Sequence, residues 1–167
     1  MKSLYLAIKA QLELKLSIQL NYIHIWNNQL DNLEDGKEYL WRFPAVFIEF
    51  GNEMPTNSIG NNVKIYDPLE IRIHICHEQL DAGDGTYEQN FDVYTLKQNV
   101  YKALQLFQTS GSGVFDRQGE EQDYNHTNVY HYVQRYMTSY IDNDLPLPIG
   151  GIEMLPPLTT NITGIIH

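Results

Sequence analysis

The stretch Asp67-Pro-Leu-Glu-Ile-Arg-Ile-His-Ile-Cys-His77 decides how this chain folds. Leu69, Ile71, Ile73 and Ile75 alternate with Glu70, Arg72, His74 and Cys76. A period of two sends the first set to one face of a β-strand and the second set to the other. The spacing therefore predicts a strand with one buried face and one wet face. A second strand-like run, Pro44-Ala-Val-Phe-Ile-Glu-Phe50, comes before it, and a Gly/Asn-rich connection over 51–62 lies between them.

Working outward, Leu4, Ile8, Leu12 and Leu16 recur at helical spacing, with Ala7 and Leu14 less well placed, and predict an amphipathic helix over 3–17. Tyr22, His24 and Trp26 alternate with Ile23 and Ile25, which suggests a strand around 19–27. The polar stretch 27–37 carries an Asp35-Gly36 turn signal. Pro44 lacks an N–H and belongs at a strand start or a sheet edge. The long strand, about 63–77, is expected to bend near Asp67-Pro68. After the turn residues Asp81 to Gly85, Thr86 and Gln89 have capping-box spacing. Phe91, Tyr94, Tyr101 and Leu104, flanked by Val93, Leu96, Val100 and Phe107, then predict a second helix to about Gln108. The polar, acidic 114–124 segment reads as an exposed loop. From 126 to 140 the chain alternates again, with a row of Tyr130, Tyr132, Tyr136 and Tyr140 whose face, core or subunit interface, stays open. Pro146, Pro148, Pro156 and Pro157 mark an irregular segment, and 161–166 reads as a last short strand.

The order α-β-β-β-α-β-β predicts an α+β fold: one domain over 1–167, with a mixed or antiparallel sheet of four to five strands and two helices on one face. At 167 residues the chain can bury roughly two thirds of its unfolded surface. Its twelve tyrosines suit a core or an interface. A net charge of −10 argues against a protein that reads DNA sequence, but suits one that lets DNA pass without sticking. The lone Cys76 excludes an internal disulfide and fits a reducing compartment. No run approaches the length of a membrane span, and the N-terminus lacks a signal-peptide core.

No catalytic motif stands out. His74, Cys76 and His77 are close in sequence, and His24, His126 or His131 would have to complete a metal site, but zinc sites draw ligands from separate short-spaced motifs. Asp81, Asp84 and Glu88 do not match a calcium loop, and a turn with a helix cap explains them. Glu120, Glu121 and Asp123 read as a solvated charge run. Catalytic, cofactor-binding and metal residues are therefore none on this reading.

The runs Phe43-Pro-Ala-Val-Phe-Ile-Glu-Phe-Gly51 and Tyr66-Asp-Pro-Leu-Glu-Ile-Arg-Ile-His-Ile75 resemble the tail terminator and tail-completion proteins of long-tailed bacteriophages. The helix after the acidic turn 81–85, the aromatic strand 126–140 and the strand 161–166 fall where that family has them. The resemblance implies a subunit of a ring, typically hexameric, at the head-proximal end of the tail tube. Such a ring ends tube polymerisation, meets the tail tube protein and the head–tail connector, and passes genomic DNA non-specifically through its lumen. It implies residence at the head–tail junction of the virion, with assembly in the host cytoplasm and no membrane partner. A heterologous ring interface would use 51–62, 109–124 and 142–157, and the acidic loops 31–38 and 116–123 would line or rim the lumen. The competing readings are another head–tail connector (an adaptor or stopper), an enzyme with a site around His74, Cys76 and His131, and a module that adds a partner's strand to its sheet edge.

Overall fold

The computed structural model describes residues 1–17, 19–32, 41–58, 63–78, 92–125 and 129–142. In chain order these form α1 (Lys2–Leu16), β1 (Tyr22–Ile25), a 3-10 turn (Gln29–Asn32), β2 (Ala45–Phe50), β3 (Thr56–Ser58), β4 (Lys64–Glu78), α2 (Asp92–Leu104), β5 (Asp116–Asp123) and β6 (Val129–Asp142). The six strands make one mixed sheet in the order β1-β2-β4-β6-β5, with β3 added to the end of β4. Among the described residues only β1 and β2 pair in parallel. The α+β class and the two helices on one face stand as expected, with a slightly larger strand count. Among the described residues no helix is long and apolar enough to cross a membrane.

Alternation in β4 sets the layers. Leu69, Ile71, Ile73 and Ile75 are fully buried, together with Val46 and Ile48 of β2. Onto them pack Leu4, Ile8, Leu12 and Leu16 of α1, and Val93, Leu96, Val100, Ala103 and Leu104 of α2. Each of the Val, Leu and Ile side chains contributes roughly 1.5–3 kcal/mol when taken out of water. The α1 stripe is the one read from the sequence. In α2 the expected face is displaced. Tyr94 is exposed and Tyr101 half-buried, whereas Leu104 of the expected face is buried together with Ala103 and the flanking Val93, Leu96 and Val100.

The tyrosine row of β6 resolves to the core. Tyr132, Tyr136 and Tyr140 are buried beneath the helices, and Tyr130 packs partly buried beside them. The bend at Asp67-Pro68 is a register shift between Tyr66 and Leu69 in the β4–β6 ladder. Gly51 ends β2 against β4, where an added Cβ would sit 3.0 Å from the Glu70 Cβ, so the close strand approach requires its missing side chain.

Two expectations are overturned. The segment 114–124 is not a loop: 116–123 is strand β5, paired antiparallel with β6. Its charges do not forbid a strand because β5 has only one ladder neighbour among the described residues, so its side chains reach water, as edge strands commonly arrange. The expected wet face of β4 is also not wet throughout. Cys76 is fully buried and His74 is 6% exposed. On that face Phe47 lies edge-on to Trp26 and Trp41, and Leu30, Ala45, Cys76 and Val129 complete a second, smaller core. The capping box at 86–89, the Pro-rich segment after 142, the strand at 161–166 and His126 lie outside the described residues.

Candidate functional site: a row of carboxylates and histidines across four strands

Strand register builds this site on the face away from the helices. Glu49 of β2 stands opposite Arg72 of β4, and Phe47 stands opposite His74. In the next ladder His131 of β6 faces Cys76, which makes it the diagonal neighbour of His74. Asp123 of β5 stands opposite His131. Four adjacent strands thus each place one ionisable side chain in a line.

The line is continuously hydrogen-bonded. His74 Nε2 lies 3.0 Å from Glu49 Oε2, and His74 Nδ1 lies 2.9 Å from His131 Nε2. His131 Nδ1 lies 3.1 Å from Asp123 Oδ2. Trp26, just past β1, roofs the row: its ring stacks on His74 at 4.0 Å and 6°, and on His131 at 5.5 Å and 26°. Arg72 flanks one end, 3.5 Å from Glu49 and 2.5 Å from Glu70. A hollow of about 360 Å³ opens beside these groups.

Burial dominates the electrostatics. It lowers the His74 pKa to about 4, against the opposing hydrogen bond from Glu49 and helped by like charge at His131. Burial also pushes the Cys76 thiol up, and the Asp123 charge pushes the same way. Cys76 is therefore a packed, protonated thiol and not a nucleophile. At Arg72 burial opposes the charge, but Glu70 and Glu49 more than offset it and the pKa is raised.

His74 and His131, which the sequence could only name separately, are thus brought together, while Cys76 turns into the apolar cluster beside them. His24 is exposed and stacks on Tyr22, and His77 Nδ1 meets the backbone oxygen of Glu78, so neither joins the row. Sequence reasoning missed Glu49, Asp123 and Trp26. The sequence reading puts Asp123 in a loop, and only strand register reveals its partner. Among the described residues no three His, Cys, Asp or Glu side chains are arranged to hold a metal ion.

Chemically, the row is closed on itself. Both ring nitrogens of His74 and both of His131 have partners within the protein. An imidazole that serves as general base needs a nitrogen directed at a substrate proton. Here the nitrogens instead stitch β2, β4, β6 and β5 together. The opposite face of β5 is stitched too: Glu120 meets Lys97 of α2 at 2.5 Å, Arg117 at 3.6 Å and the Gln134 amide at 2.8 Å. Compared with protein families and with curated proteins, the sequence finds no match.

Proposed function

We propose that this protein is a structural subunit of a long-tailed phage, forming a ring at the head-proximal end of the tail tube, ending tube polymerisation and joining tail to head. What supports this reading most is the central strand pair. The two stretches that carry the resemblance, 43–51 and 66–75, are hydrogen-bonded neighbours, β2 and β4, at the middle of one sheet backed by two helices. A closed ring needs one surface patch to meet a different patch on the next copy. The outer strands β1 and β5 differ in chemistry. Tyr22, Ile23, His24 and Ile25 carry no acid, whereas β5 carries Asp116, Glu120, Glu121 and Asp123. The net charge of −10 suits a channel wall that repels phosphate and lets DNA slide.

The acidic 116–123 segment remains the proposed lumen rim, now as a strand, outermost among the described residues, instead of a loop. The inward commitment of the histidine nitrogens favours assembly over turnover at this site. Light scattering coupled to size exclusion, over a concentration series, tests the proposal. A closed species of about six copies that persists on dilution is the expected outcome. A monomer at every concentration, with catalytic turnover lost on His74→Gln, would overturn it.

A further inference from the structure

Three hydrogen bonds run through the Glu49–His74–His131–Asp123 row, and each needs one proton between its heavy atoms. Two neutral imidazoles supply only two. With both carboxylates ionised, the third proton must sit on an imidazole. We infer that His131 is held as an imidazolium in the native fold, between the Asp123 carboxylate and a neutral His74, and that this proton clamps the end of strand β5 to the sheet.

The charged surroundings select His131 over His74. Facing the pair are Glu49 from β2, Glu70 and Arg72 from β4, Asp123 and Glu121 from β5, and the protonated Cys76 thiol across the β4–β6 ladder. Glu49 is already matched by Arg72, so a second cation at His74 would sit beside a guanidinium. Burial independently favours the neutral form of His74. His74 then carries its proton on Nε2, donates it to Glu49 and accepts at Nδ1 from His131. His131 donates from both nitrogens, the second proton going to Asp123. Trp26 stacked across both rings excludes water from one side and presents its π face to the cation.

The two ends of β5 are held by different means. At its start the Gln105 side chain bonds Asp116 Oδ1 and accepts from the Arg117 backbone N–H, and Glu120 is tied to Lys97 and Gln134. At the far end the Asp123–His131 contact, with the Asn125 N–H bonded to Asp123 Oδ1, adds to the backbone ladder. When the extra proton leaves, two protons remain for three contacts and His131 loses the charge that pairs with Asp123, so that end loosens while the start stays paired. The clamp goes beyond the assembly proposal and holds whether or not the protein forms rings.

Nitrogen-15 labelling of the six histidines and observation of their ring N–H groups by NMR tests it directly. At about pH 7.5 the expected spectrum shows His131 with both ring nitrogens protonated and His74 as the Nε2–H tautomer, assigned through His131→Gln and His74→Gln variants. Two neutral rings in the wild-type protein would overturn the inference. Amide exchange in Asp123→Asn, corrected for intrinsic rates, is the second arm. Protection at the Asp123–His131 pair is expected to fall about tenfold or more, with the Asp116–Met137 end unchanged. An equal loss at both ends, or none at either, contradicts the clamp.

Discussion

On the face of the sheet toward α1 and α2, strand β4 presents Leu69, Ile71, Ile73 and Ile75, all fully buried in a continuous apolar core. On its other face the same strand presents Glu70, Arg72, His74 and Cys76, which run from ion pairs at one end to an aromatic-capped cluster at the other. One face is held by area and the other by partners. Apolar burial is non-directional and tolerates small shifts, whereas a hydrogen-bonded row demands one register and one protonation state. The helix-covered face therefore supplies most of the stability, and the opposite face fixes how β2, β4, β6 and β5 align.

The largest expected effect falls on the apolar side. Ile73→Ala should cost about 2–5 kcal/mol in chemical denaturation, because it opens a cavity under both helices. Met137→Ala, on the opposite face and only partly buried, should cost under about 1 kcal/mol. Similar losses at both positions would break the distinction between the faces.

Acid should weaken the polar side next. His74 has a pKa of about 4 in the fold against 6.5 for the ordinary group. As pH falls through 6.5 the unfolded chain takes up a proton that the folded chain refuses until about 4. Stability from this group is thus complete above pH 6.5, is lost progressively down to about pH 4, and changes no further below that. The loss is up to about 3 kcal/mol, and His74→Gln should remove that portion of the pH slope in urea titrations.

Glu120→Gln should cost about 1–2 kcal/mol, since it leaves Lys97 and Arg117 without the carboxylate they share. Hydrogen exchange should then quicken along β5 without melting α1. At the small end, Glu13→Gln removes an i,i+4 partner of Lys9 on a carboxylate that is 54% exposed, and should lower the unfolding free energy by less than about 0.5 kcal/mol.

The same contrast explains what the sequence disclosed. Strand β4 shows its alternation plainly and β2 stands out as an unbroken apolar run, and both were legible to within a residue. The α1 stripe was legible because every fourth residue is a large aliphatic. Strand β5 was not, because Asp-Arg-Gln-Gly-Glu-Glu-Gln-Asp carries polar residues on both faces, and only pairing with β6 makes it a strand. The tyrosines of β6 gave no face because both of its sides carry plausible core residues. The site was half visible: His74 and His131 stood out as residue types, but their contact spans 57 positions and depends on register. Glu49 and Asp123 carried no local signal at all.

The proposed role, fitting against copies of the same chain and a tail tube, is tested by electron microscopy of tail tubes assembled with and without the purified protein. Rings seated on one end of each tube, with growth arrested at that end, are the expected result. Tubes that lengthen unchanged, with no ring at either end, would contradict it.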